Sequence, residues 1–177
     1  MFKRLIPDQI VNTVYDIDLK ALKAQGVKGI ITDLDNTLVS ARTPLATPKL
    51  VTWLDSVRDM GFKVIILSNN NSRRVKSFAD PLGIPYIPAA RKPTSSAFNE
   101  AVRQLRLKPE QAVVVGDQLM TDVLGGRRAG LKTILVTPIA RSEEGWGTRI
   151  NRMIERIALR SLRRRGQWPF DHNEGGR

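Results

Sequence analysis

The chain of 177 residues carries 29 Lys and Arg against 17 Asp and Glu, for a formal net charge of +12, an excess that attracts polyanions such as nucleic acid or an anionic membrane face. It has no cysteine and a single histidine, His172 in a polar tail, which excludes disulfides, thiol nucleophiles, histidine-based triads and zinc held by His or Cys. Any chemistry falls to carboxylates, hydroxyls, Lys and Arg, and any metal is a hard cation bound by oxygen.

In chain order, Pro7-Asp8 predicts the start of a helix with Ile10, Val11 and Val14 on one face, and Asp18 caps a second helix that Gly26 ends. The run Lys28-Gly-Ile-Ile-Thr is a short buried strand, followed at once by Asp33-Leu-Asp35-Asn-Thr37. Carboxylates at the end of a buried strand cost several kcal/mol unless a cation or a set of donors compensates them. The pair therefore reads either as a metal site or as a turn in which each Asp accepts from nearby backbone N–H groups. Leu50, Val51, Leu54 and Val57 define the face of the next helix, before Gly61, and Trp53 and Met60 read as packing residues.

Three further strands end in polar residues. Lys63-Val-Ile-Ile-Leu67 runs into Ser68-Asn69-Asn70-Asn71, the short extended segment at Tyr86 leads to Arg91-Lys92-Pro93, and Ala112-Val-Val-Val115 runs into Gly116-Asp117, with Asp122 beyond. A helix opened by Thr94 or Ser95 separates the last two, and Lys132-Thr-Ile-Leu-Val136 is the fifth strand. Strands alternating with helices imply a parallel sheet whose carboxyl ends share one edge, where ligands of open α/β sheets bind. The expected architecture is α/β and Rossmann-like, a five-stranded and mainly parallel sheet flanked by helices on both faces. Residues 1–165 form one domain, ending in a basic helix over 149–165. Residues 166–177 are an expected disordered tail.

On that helix Ile150, Met153, Ile154, Ile157 and Ala158 share one face, the side expected to pack on the core. Arg149, Arg152, Arg156, Arg160 and Arg163 form a stripe opposite, read either as a solvated surface or as a face that meets anionic phosphates. The segment Ser142-Glu-Glu-Gly before it is a connector or an element beside the edge. No run of about 20 apolar residues spans a bilayer, and the first seven residues are too short in their apolar part for a signal peptide, so the chain reads as cytoplasmic.

Taken together, Asp33-Leu-Asp35-Asn-Thr37, Ser68, Lys92 and Gly116-Asp117 with Thr121-Asp122 resemble the four motifs of the haloacid dehalogenase (HAD) phosphohydrolases. A narrower resemblance, from about residue 5 to 162, is to the YqeG-type branch of group IIIA, related to phosphatidylglycerophosphate phosphatases. The resemblance implies an Mg²⁺-dependent phosphatase that hydrolyses a phosphate monoester through an aspartyl-phosphate. Asp33 is then the nucleophile, Asp35 the general acid and base, and Ser68 and Lys92 stabilise the transferring group. Mg²⁺ is held by Asp33, the Asp35 carbonyl and Asp117, with Asp122 behind Lys92 or a metal-bound water. Thr37, Asn69 and Arg91 are expected to contact the phosphorylated substrate. Many relatives insert a cap domain in one of two gaps, but the 33 positions from Asp35 to Ser68 and the 24 from Ser68 to Lys92 leave no room for a large one. An open site suits a large substrate, such as a lipid head group in a membrane, a phosphoprotein or a nucleic-acid end, unless oligomerisation supplies a lid, and the resemblance implies phosphatidylglycerophosphate met peripherally at the inner membrane face. The alternatives are a basic RNA- or ribosome-associated protein with incidental or regulatory phosphatase activity, and a phosphatase of soluble metabolites.

Overall fold

A computed structural model describes residues 2–140 and 146–170, with side chains described from residue 4 to 140 and from 153 to 170. The segment at Ser142 and the last seven residues of the tail lie outside the described residues. Strands β1 (Gln9–Val11), β2 (Gly29–Thr32), β3 (Lys63–Leu67), β4 (Tyr86–Ile87), β5 (Ala112–Gly116) and β6 (Lys132–Val136) form one sheet in the order β1-β6-β5-β2-β3-β4. Every pairing is parallel. The α-helices among the described residues are α1 (Leu19–Ala24), α2 (Pro48–Asp59), α3 (Ser72–Ala79), α4 (Ser95–Leu105), α5 (Leu124–Arg128) and α6 (Trp146–Arg164).

The sheet has six strands rather than the five expected, because residues 9–11 form an edge strand and not the predicted helix. Three residues carry too little pattern to set their own conformation, and the partner decides it: Gln9, Ile10 and Val11 align with Ile134, Leu135 and Val136 of β6. Asp8 secures the entry by accepting from the Thr133 backbone at 2.8 Å while its own N–H donates to the Thr133 carbonyl at 2.9 Å. Asp18 does cap α1, accepting from the Ala21 N–H at 2.9 Å.

Alternation along the central strands divides the core between the two faces of the sheet. Ile30, Val64, Ile66, Val113 and Val115 pack with Leu50, Trp53, Leu54 and Val57 of α2 and with Val75 and Phe78 of α3. Ile31, Ile65, Leu67 and Val114 pack with Ala97, Phe98, Ala101 and Leu105 of α4. Only one helix, α2, lies between β2 and β3, and only α3 and a single 3₁₀ turn lie between β3 and β4.

Helix α6 packs differently from the expectation. Among its described side chains Ala158 and Leu162 are the buried apolar ones, set against Leu5, Leu119 and Val123. Met153, Ile154 and Ile157 are 59%, 39% and 60% exposed, so most of the apolar face assigned to the core faces outward. Glu155, only 5% exposed, accounts for this rotation: its Oε1 accepts from the Met120 N–H at 3.0 Å, fixing which side of α6 meets the body. The small Ala158 beside it permits close approach. Arg156, Arg160 and Arg163 are exposed, while the side chains of Arg149, Ile150 and Arg152 lie outside the described residues.

Candidate active site

β2 delivers Asp33 at the carboxyl edge, where the ladder continues one residue further through the Asp33 N–H, 2.9 Å from the Val115 carbonyl. Asn36 then turns the chain with a φ of 64°, a left-handed conformation that Asn tolerates, and its Oδ1 is buried without a hydrogen-bond partner. β3 ends at Ser68, 2% exposed, whose Oγ accepts from the Asn70 N–H at 3.1 Å. β5 ends at Gly116-Asp117, and a π-helical turn over Leu119–Val123 swings Asp122 back toward the strand end. Gly116 is required by that return: a Cβ at this position would collide with the Asp122 carboxylate.

Lys92 joins the pieces. Its Nζ lies 2.7 Å from Asp33 Oδ1 and 2.6 Å from Asp122 Oδ1, with all three residues buried. Burial acts against the Lys92 ammonium, but the charges of Asp122 and then Asp33 outweigh it and hold the group above its ordinary range. For Asp33 the balance goes the other way. Burial pushes its carboxyl up from 3.8 to about 6, Lys92 opposes the rise, and Asp122 adds to it. The second oxygen of Asp122 accepts from the Gln118 N–H at 3.2 Å.

Carboxylate oxygens of Asp33, Asp117 and Asp122 lie within 4.8 Å of one another, a buried all-oxygen set that suits a small hard cation. Thr37 Oγ1 donates to Asp117 Oδ1 at 3.4 Å. The set also fits a cation on charge, since among these three carboxylates one ammonium leaves an excess of negative charge in a buried place.

Asn69 and Arg91 both lie at the lysine loop. Asn69 Oδ1 accepts from the Lys92 N–H at 2.7 Å and its Nδ2 donates to the Lys92 carbonyl at 3.3 Å, so this side chain fastens the lysine loop to the end of β3. Arg91 is exposed on that loop at a φ of 55°.

Two residues that sequence reasoning missed surround Asp35. Arg74 donates through Nε and Nη2 to Asp35 Oδ1 at 3.2 and 2.9 Å, and Asn70 Nδ2 donates to Oδ2 at 2.9 Å. A third bond, Arg74 Nη1 to the Pro44 carbonyl at 3.2 Å, ties the loop after the aspartates to α3. The available signal was the cap: Asn71 Oδ1 accepts from the Arg74 N–H at 3.0 Å, which puts residue 74 in the first turn of a helix that starts at the carboxyl edge. Beside this loop opens a cavity of about 480 Å³, lined by Val14, Tyr15, Thr37, Leu38, Thr47 and Ile139 among others.

At the carboxyl edge of a parallel sheet a buried lysine thus joins Asp33, after β2, to Asp122, beyond β5, with Ser68 after the neighbouring β3. Residues 41–130 match the haloacid dehalogenase-like hydrolase family, and the chain belongs to it. It is a HAD-type phosphatase, a phosphoric monoester hydrolase. Among individual proteins, it is 55% identical over 168 residues to the probable phosphatase YqeG of Bacillus subtilis, covering 94% of this chain and 97% of that one. It is 26% identical to the chloroplastic/mitochondrial phosphatidylglycerophosphate phosphatase 1 of Arabidopsis thaliana, over 96% of this chain but only 51% of the plant protein. The fold is shared with the cobalt-bound deoxy-D-mannose-octulosonate 8-phosphate phosphatase of Haemophilus influenzae, with a TM-score of 0.54 and 18% identity over 78% of this chain and 93% of that one.

Proposed function

We propose that the protein is an Mg²⁺-dependent, capless phosphatase of phosphatidylglycerophosphate, working through an aspartyl-phosphate at an anionic membrane surface. The observation that carries the chemistry is the pairing of Asp33 with Lys92 inside the Asp33–Asp117–Asp122 group. A carboxyl held near 6 is mostly ionised at neutral pH, so Asp33 is available as a nucleophile. Its Oδ2 attacks phosphorus while Oδ1 stays against Lys92, whose ammonium stabilises charge on the transferring group. Ser68 and the turn around Asn70 present donors to the same group. Asp35 gives the leaving alkoxide a proton and then takes one from the water that hydrolyses the acyl phosphate at phosphorus, restoring both carboxyl groups. Arg74 and Asn70 hold Asp35 at the rim until substrate arrives. Mg²⁺, held by Asp33, the Asp35 carbonyl and Asp117, would supply charge neutralisation for the phosphoryl oxygens.

The substrate reading rests on the likeness to the plant phosphatidylglycerophosphate phosphatase, the net charge of +12, and the absence of a large insertion between β2 and β4. Among the described residues no helix is long and apolar enough to cross a membrane, so a lipid substrate would be met from one side. A turnover screen tests this. Purified protein with Mg²⁺ is expected to release phosphate from phosphatidylglycerophosphate vesicles faster than from sugar phosphates, nucleotides or phosphopeptides, and to lose that activity in EDTA. A clear preference for a soluble phosphate contradicts the substrate, and full activity in chelator contradicts the metal.

A further inference from the structure

Helix α6 has three sides with different chemistry. Glu155, Ala158 and Leu162 face the body. Met153, Ile154 and Ile157 stand in solvent, and at 100° per residue Arg156, Arg160 and Arg163 occupy the strip next to them. Exposed apolar residues gathered on one ridge are uncommon on a soluble surface and mark a contact. Two more large apolar side chains are exposed in loops that leave the carboxyl edge: Leu45, 59% exposed, after β2, and Ile139, 53% exposed, after β6. Both adjoin the site. The Ile139 N–H donates to the Asn36 carbonyl at 3.0 Å, and Pro44, beside Leu45, accepts from Arg74. Helix α6 is fixed to the same edge, because Glu155 holds the π-helical turn that carries Asp122.

We infer that the ridge of α6, with Leu45 and Ile139, inserts into the headgroup–acyl boundary of an anionic bilayer and so lays the strand-end site against the lipid surface. This deepens the lipid-substrate reading and rests on it. Charge selects the occupant. An amphipathic helix with an apolar strip bordered by arginines matches a surface that is anionic outside and apolar beneath. A second copy packed antiparallel on the ridge would bring the arginine strips together, and nucleic acid would leave the ridge in water.

The chain has no cysteine, so Ile157→Cys takes a single environment-sensitive dye, with Gln104→Cys on α4, near the amino end of β3, as control. Phosphatidylglycerol–phosphatidylcholine vesicles without phosphatase substrate are expected to blue-shift the dye at 157, and brominated acyl chains to quench it, with neither effect at 104. Replacing Met153, Ile154 and Ile157 together by Ser is expected to weaken vesicle binding roughly tenfold or more at high salt, where the arginine attraction is screened. Turnover of a small aryl phosphate should be unchanged. A dye at 157 indifferent to vesicles, or one that shifts instead with rising protein concentration or with RNA, overturns the inference. Phosphatidylglycerophosphate turnover without a dye shift would leave the substrate reading standing and remove the docking. A dye shift without that turnover would do the reverse.

Discussion

Lys92, Asp33, Asp117 and Asp122 are at most 7% exposed, whereas Met153 and Ile157 are about 60% exposed. The strand ends bury charge and the terminal helix displays apolar surface, each the opposite of what water favours. At the strand ends the cost is offset by specific partners: an ammonium between two carboxylates, backbone donors, and a place for a cation. On α6 no such partner is supplied by the described residues. The first arrangement is complete enough to hold its geometry, and the second calls for something outside the chain.

The largest expected effect is at the nucleophile. Asp33→Asn should lower turnover by at least roughly 10⁴-fold, measured on an aryl phosphate, because it removes the attacking oxygen and keeps the shape. Circular dichroism should show the fold unchanged.

Next, the two regions should respond oppositely in stability. Lys92→Met leaves Asp33 and Asp122 as neighbouring buried carboxylates and is expected to cost about 3–5 kcal/mol in chemical denaturation in EDTA. Polar replacements at Met153 and Ile157 should fall within about 0.5 kcal/mol of wild type, since these side chains stay mostly in water in the folded state as well. Similar losses at both places would erase the contrast.

A smaller effect sharpens the reading of the buried charge. Because Asp33 is raised to about 6 from 3.8, the metal-free native state binds its proton more tightly than the unfolded chain does. The resulting stability is fully present below pH 3.8 and is lost as pH rises through about 6. Asp33→Asn should remove that slope, so relative to wild type it gains on the order of 2 kcal/mol between pH 4 and pH 7.5 in EDTA. A flat difference between the two proteins would mean that Lys92 fully compensates the burial.

The smallest effect belongs to the arginines. Each Lys or Arg near an anionic surface adds about 1 kcal/mol at most, screened by salt. Replacing Arg152, Arg156, Arg160 and Arg163 by Gln should weaken binding to anionic vesicles at low salt and slow turnover of vesicle-borne substrate, with aryl phosphate turnover unchanged. Equal losses on both substrates would make the helix a stabiliser of the fold.

The site was readable because its residues sit at the ends of strands whose apolar runs are unmistakable. Ile30-Ile31, Val64 to Leu67 and Val113 to Val115 are fully or nearly buried, and a parallel sheet leaves Asp33, Ser68 and Asp117 nowhere to go but one edge. The Asp35 clamp was not readable in the same way. Arg74 reaches Asp35 across 39 positions through a helix cap, and the sequence holds many arginines with equal local claims. Strand β1 was missed because β6, and not its own three residues, makes it a strand. For α6 the periodicity identified the apolar strip but not its direction. That is set by tertiary contacts, among them the bond from the Met120 N–H to Glu155, with the acidic residue inward and Ile154 and Ile157 out.

The central claim is that phosphate passes through Asp33. Asp35→Asn, which keeps the nucleophile and removes the acid and base, should accumulate an acyl phosphate when given Mg²⁺ and a nitrophenyl phosphate, whose phenolate leaves without a proton. Borohydride reduction followed by peptide mass spectrometry should then find homoserine at position 33. Homoserine at another aspartate, or none at any time point while phosphate is still released, would contradict the account.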